Sequence, residues 1–131
     1  MILLDTSVWI DLFRHRRGEI SAEDYQDFVT CGPVIQEVFQ GLRDVPPSEI
    51  FRQGLLDVGR LEDPVPVEAF VEAAEIYRSG RRGGYAIRST VDCLIAAIAI
   101  RRGVPVWHKD RDYSLIARYT PFAGSHTDSI G

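Results

Sequence analysis

Met1-Ile2-Leu3-Leu4-Asp5-Thr6-Ser7-Val8-Trp9-Ile10 opens the chain with four apolar residues that stop at an acid and two hydroxyls. A short apolar run without polar alternation is what a strand buried on both faces of a parallel sheet requires. Asp5 therefore stands at the carboxyl end of a first strand. Ser7 or Thr6 is placed to cap the helix that follows, whose apolar face is Val8, Trp9, Leu12 and Phe13. Residues 14–18 close that helix with positive charge and a glycine.

Working outward, the pattern repeats. Phe28-Val29-Thr30-Cys31 reads as a second strand, and Pro33 sits in the first turn of a helix carrying Val34, Ile35, Val38, Phe39 and Leu42 at helical period. Residues 41–47 break it. Another helix is expected over 50–58 and a short strand within 59–63. Residues 67–78 predict an amphipathic helix with Phe70, Val71, Ala74 and Tyr77 on one side and Glu68, Glu72 and Glu75 on another. Residues 80–84 read as a flexible basic loop. Ser89 or Thr90 then caps a helix in which every residue from 91 to 100 except Asp92 is apolar, so it is buried all round. Gly103 ends it, Val104-Pro105-Val106-Trp107 is the next strand, and Asp110-Arg111-Asp112-Tyr113 opens the last helix. The domain is expected over 1–123, with residues 124–131 a flexible polar tail. Strands alternating with helices predict an α/β fold of three layers, α/β/α, around a mostly parallel sheet.

The bulk composition is that of an ordinary globular chain, 45% apolar and 26% charged with a net charge of −4. No apolar run reaches the length of a membrane span, and the amino end lacks the basic segment of a secretory signal, so a cytoplasmic protein is expected. Cys31 and Cys93 are too few and too far apart for a disulfide framework or a cysteine zinc site, and read as reduced core thiols. Fourteen of the fifteen basic residues are Arg, Lys109 being the single Lys. Arg suits bidentate phosphate contacts, but a compositional bias explains the excess equally well.

Four acids occupy awkward places. Asp5 and Asp110 follow strands, where parallel sheets bind ligands. Asp92 is the lone charge in a helix otherwise made for the core, and Glu37 lies in an apolar neighbourhood beside Val38. Two carboxylates about 4 Å apart repel by about 4 kcal/mol at an effective dielectric near 20. Gathering several therefore calls for protons or a divalent cation. Oxygen-only ligation favours Mg²⁺ or Mn²⁺ over zinc. Composition and spacing leave open whether these acids converge.

Four blocks, in order, resemble the PIN domain and, more narrowly, the VapC ribonucleases of bacterial toxin–antitoxin pairs. They are Leu3-Leu4-Asp5-Thr6-Ser7-Val8-Trp9-Ile10, then Val34-Ile35-Gln36-Glu37-Val38 with Gly41-Leu42, then the run from Arg88 through Asp92 to Ala97, and finally Gly103 through His108-Lys109-Asp110-Arg111-Asp112-Tyr113. The likeness extends to about Tyr119. It implies Asp5, Glu37, Asp92 and Asp110 as a catalytic, metal-binding quartet, with Asp112 as a further contributor. Ser7 and Thr6 match the polar position that orients water or a carboxylate in the family, besides their capping role. Arg88, Arg81, Arg82 and Lys109 are candidate RNA contacts, and His108 reads as packing or surface.

The implied activity is metal-dependent hydrolysis of RNA phosphodiester bonds, leaving 5′-phosphate and 3′-hydroxyl ends, in a toxin that inhibits translation and is neutralised by a cognate VapB-like antitoxin. The RNA would be tRNA or rRNA. A homodimer is also implied, with Trp9, Phe13 and Phe39 as interface candidates unless they pack in the core. Two other readings compete. One is a catalytically inactive PIN-like binding module. The other is a phospho-acceptor receiver domain, with Asp57 as acceptor and Lys109 beside it, which would leave Glu37 and Asp92 without a role.

Overall fold

The computed structural model describes residues 1–16, 22–42 and 49–126. Five strands, β1 (Ile2–Leu4), β2 (Phe28–Thr30), β3 (Gly59–Arg60), β4 (Val106–His108) and β5 (Gly124–His126), form one parallel sheet in the order β3-β2-β1-β4-β5. Leu3 pairs with Val29 on one side and Val106 on the other. The helices are α1 (Thr6–Asp11), α2 (Ala22–Gln26), α3 (Gly32–Gly41), α4 (Glu49–Asp57), α5 (Val67–Arg82), α6 (Thr90–Arg102) and α7 (Arg111–Ile116), and they complete the expected three-layer α/β/α arrangement. Among the described residues no helix is long and apolar enough to cross a membrane.

The strand order explains where a site can form. From β1 the chain winds outward through β2 to β3, then returns to lay β4 against the other edge of β1 and continues to β5. The reversal opens a crevice beyond the carboxyl ends of β1 and β4, the usual ligand position in such sheets. Asp5 and Asp110 follow those two strands. Leu3, Leu4 and Val106 are fully buried between the helical layers, as unalternated apolar strands must be.

The structure departs from the sequence reading at several places. Asp5, not Thr6 or Ser7, holds the N-cap position of α1, and its side chain makes no capping bond. Both hydroxyls are turned to acids instead. Beyond Asp11 the chain continues as a π-helical turn, Leu12–Arg16. The last two residues of the expected 14–18 closure, most of the 41–47 break and residues 127–131 of the tail lie outside the described residues. Strand β4 begins at Val106, because Pro105 has no N–H to give the ladder, although its carbonyl accepts from Leu3 N at 2.9 Å.

Helix α5 buries Ala69, Ala73, Ile76 and Gly80, leaving Val67, Phe70 and Val71 at 71%, 51% and 66% exposure. Of the side expected to be apolar, Phe70, Val71 and Ala74 face outward and Tyr77 is half-buried against the core. Small residues win the inner position because α5 lies closely on α6, whose Cys93 and Ile95–Ala99 are buried. The expected loop at 80–84 is in fact the last turn of α5 through Arg82, followed by a turn at Gly83-Gly84. Gly80 is needed for close approach rather than as a breaker: a Cβ there would stand 2.6 Å from Tyr119 Oη. Gly103 does end α6, at φ 63°.

Residues 124–126 are not loose tail but the edge strand β5, paired with β4 through Val106 and Gly124. Of the three proposed interface aromatics, Trp9 belongs to the core, edge-on to Phe28 at 5.9 Å. Phe13 is half-buried against Phe51 at 4.4 Å, and Phe39 is half-buried beneath the Arg52 guanidinium at 5.3 Å. Cys31 and Cys93 are buried and unpaired, and burial pushes their thiols up to about 12 and about 11.

Candidate active site

The four acids named from the sequence meet, and Asp112 joins them. Carboxylate oxygens of Asp5, Glu37 and Asp92 lie within 4.8 Å of one another, and so do those of Asp92, Asp110 and Asp112. Asp92 is common to both trios. Each acid arrives by a different route. Asp5 is delivered by the end of β1, where its N–H reaches Trp107 O at 3.0 Å on β4. Glu37 projects from the middle of α3, which Pro33 starts. Asp92 stands in the first turn of α6, its N–H bound to the Ser89 hydroxyl at 3.2 Å. Asp110 caps α7 by accepting from Asp112 N at 2.8 Å.

The polar neighbours hold these carboxylates in fixed orientations. Asp5 Oδ1 accepts from Tyr113 Oη at 2.8 Å and Oδ2 from Ser7 Oγ at 3.1 Å. Glu37 Oε1 accepts from Thr6 Oγ1 at 2.9 Å. Asp112 is fully buried; its Oδ2 takes the backbone N–H groups of Arg88 and Ser89 at 3.1 and 3.0 Å, while Oδ1 lies 3.8 Å from Arg88 Nε. Thus Asp112 ties the segment leading into α6 to the start of α7. Tyr113, which touches the cluster, is a residue to which sequence reasoning gave no role. A buried tyrosine hydroxyl must find a partner, and the one signal available was its place directly after Asp112 in a helix that starts at the site.

Burial and mutual repulsion act together on the carboxyl groups of the cluster. Burial, then the charges of Asp5, Asp110 and Asp112, push Asp92 up to about 8. Burial raises Asp5 against the pull of its Tyr113 and Ser7 hydrogen bonds, and burial together with Asp5 and Asp110 raises Glu37. The Tyr113 phenol, desolvated and facing Asp5 and Asp92, is held well above its ordinary range and stays a donor. Its single proton can serve only one of them, and Asp92 Oδ2 is left buried with no hydrogen-bond partner among the described residues. An orphaned buried carboxylate oxygen among like charges fits a divalent cation, and an all-oxygen donor set fits Mg²⁺ or Mn²⁺.

The basic candidates are placed differently. Arg88 is exposed beside Asp112, and Lys109 Nζ lies 3.9 Å from Asp11 Oδ2. Arg82 pairs with Glu75 at 2.7 Å, and Arg81 donates to Tyr77 Oη at 3.1 Å. His108 is buried, 5.0 Å from the Tyr113 ring and 6.3 Å from Phe122, as packing requires. The receiver-domain reading fails on position: Asp57 ends α4, exposed and bonded to Gln53 at 2.9 Å, not beyond a strand.

Comparison with known proteins agrees with the geometry. The PIN domain family model matches residues 2–119. Ribonuclease VapC11 of Mycobacterium tuberculosis and VapC ribonuclease Mb1587 of Mycobacterium bovis are each 37% identical over 128 residues, covering 92% of this chain and 94% of theirs. Among solved structures, VapBC2 of Rickettsia felis bound to a promoter DNA fragment superposes with a TM-score of 0.68 at 14% identity, over 98% of this chain and 100% of that one. VapBC-5 of Mycobacterium tuberculosis does so with 0.65 at 23%, over 95% and 97%. These two likenesses speak to the fold. The family match along nearly the whole chain and the 37% identity to the VapC proteins settle its kinship: the chain belongs to the PIN-domain family, in its VapC branch.

Proposed function

We propose that this protein is a VapC-type toxin, an endoribonuclease that hydrolyses phosphodiester bonds of RNA with Mg²⁺ or Mn²⁺ as cofactor. The observation that carries the reading is the pair of carboxylate trios sharing Asp92. The names of the relatives, two of them ribonucleases and one a toxin–antitoxin pair, support it. The retained acids speak against an inactive binding module.

Asp5, Glu37, Asp92 and Asp110 would hold the ion, with Asp112 beside them. When bound, such an ion polarises phosphate oxygens and lowers the pKa of water. The chain's own part is orientation. Tyr113 and Ser7 fix both oxygens of Asp5, and Thr6 fixes one oxygen of Glu37, leaving the other available. Asp112 anchors the backbone at Arg88 and Ser89, and Ser89 in turn holds the first turn of α6 that presents Asp92. Arg88, largely exposed at this edge, is set to meet a phosphate. Lys109, Arg81 and Arg82 are proposed as weaker RNA contacts.

The substrate is proposed to be a structured cellular RNA such as tRNA or rRNA. The partners are proposed to be a small antitoxin and a second copy of the chain, for which the exposed apolar residues of α5 offer surface. Two buried reduced thiols suit a cytoplasmic location. Mapping RNA ends after controlled expression of the wild type and Asp5→Ala tests the activity. New 5′-phosphate ends should arise with the wild type and vanish with the variant. Identical end maps for both would refute the assignment, and Mn²⁺ titration by calorimetry should show binding that Asp5→Ala weakens.

A further inference from the structure

The last turns of α5 and the turn and loop that follow it border an open cleft of about 370 Å³ lined by Tyr77, Arg81, Gly84, Tyr85, Ala86 and Ile87. Its volume is within the roughly 300–1,000 Å³ of small-ligand sites. Tyr85 is held in one orientation: its ring stacks on Tyr119 at 5.2 Å and 20°, and Tyr119 is pinned by its hydroxyl to Ile76 O at 2.8 Å. Tyr85 N also bonds to Gly80 O at 2.8 Å. On the α5 wall of the cleft, the Arg81 guanidinium lies over the Tyr77 ring at 5.7 Å. Buried Ile87 supplies apolar wall. Fixed aromatic faces together with a guanidinium plane are what holds a splayed nucleobase of a single strand.

The same loop runs directly to the acids. Three residues beyond Tyr85, the N–H of Arg88 is bound to Asp112. That length of chain spans at most about 11 Å, a reach of a few nucleotides along one strand. We infer that this cleft is a nucleobase subsite, in which one base of single-stranded RNA stacks near Tyr85 with Arg81 at its side, close to the bond cut at the acids. The inference rests on the ribonuclease reading and adds what the acids cannot supply, because phosphate contacts position a strand whereas base contacts distinguish it.

The test uses the full-length protein and a single-stranded oligoribonucleotide carrying a cut site from the end mapping, with copies in which one nucleotide at a time is abasic. Ala86→Trp fills the cleft from its exposed rim, and Arg81→Ala removes the guanidinium. One abasic position near the cut should lower wild-type kcat/KM about tenfold or more, mainly through KM. Ala86→Trp should lose a similar factor on the intact oligonucleotide and become indifferent to that same position, with Arg81→Ala behaving alike to a smaller degree. In addition, 5-iodouridine at that position should cross-link to Tyr85 or Tyr77 in the Asp5→Asn protein. If both cleft variants cut intact RNA like the wild type, or if the cross-link maps elsewhere, the subsite is refuted while the ribonuclease reading stands. If the wild type cuts no RNA, both are refuted.

Discussion

Replacing Asp92 by asparagine removes an ionisable carboxyl from the point where the two carboxylate trios overlap and leaves the shape almost unchanged. In metal-free protein the ordinary carboxyl value of 3.8 is raised on folding to about 8. Below the unfolded value both folded and unfolded Asp92 are protonated, and the wild type has its full stability. As pH rises toward about 8 the unfolded chain releases a proton that the folded chain keeps, so stability falls by up to about 1.4 kcal/mol per pH unit. The whole window is worth at most about 6 kcal/mol, and the raised values of Asp5 and Glu37 share in it. The asparagine side chain has no proton to lose, so the variant's curve should be flatter.

Urea or thermal unfolding in EDTA from about pH 5 to about pH 8.5 measures the difference. We expect Asp92→Asn to gain about 2 kcal/mol or more on the wild type between those limits, roughly 8 °C in Tm for a domain of this size. Saturating Mn²⁺ at the alkaline end should restore the wild type by about 3 kcal/mol at a roughly hundredfold excess over Kd and do little for the variant. Parallel pH curves for the two proteins in EDTA would refute the claim that Asp92 is held among like charges.

Three further outcomes are expected. Tyr113→Phe leaves the ring stacked on Phe122 but strips Asp5 of its buried donor, which should cost about 1–2 kcal/mol and weaken Mn²⁺ binding, read by unfolding and calorimetry. Asp112→Asn should destabilise the fold more than Asp110→Asn, by about 1–3 kcal/mol, since two backbone N–H groups depend on it. It should nevertheless impair RNA cleavage less, and the reverse order in a cleavage assay would count against the assigned quartet. Gly80→Ala drives a methyl group onto Tyr119 Oη and should cost about 1–3 kcal/mol, visible as a lower Tm.

The elements legible in the sequence were those set by burial alone. The apolar run before Asp5 and the greasy helix around Asp92 have few alternatives, and both formed where expected. Asp5 stood out because it ends such a run, and Asp92 because it interrupts one. What could not be read was anything decided across the fold. The inner face of α5 is chosen by how near its neighbours approach, so small Ala69 and Ala73 face α6 and Gly80 faces Tyr119, while larger Phe70 and Val71 stay outside. Gly124-Ser125-His126 has no strand signature, yet the open edge of β4 recruits it. Thr6 looked like a cap and is instead a donor to Glu37, 31 residues away in the chain. Such pairings depend on strand order, which local pattern does not encode.

The central position of β1 bears on how the protein is made. Its first strand needs β4 as a neighbour, and that partner is synthesised about a hundred residues later. Long-range parallel pairing is slow to form, and a growing chain on the ribosome holds Asp5 long before it holds Asp110. On the proposed assignment of Asp110 to the metal site, cleavage competence arrives only after β4 and the start of α7 have been made. A fragment released before the segment beyond α6 has emerged carries Asp5, Glu37 and Asp92 but lacks Asp110 and Asp112, and so holds only one of the two carboxylate trios.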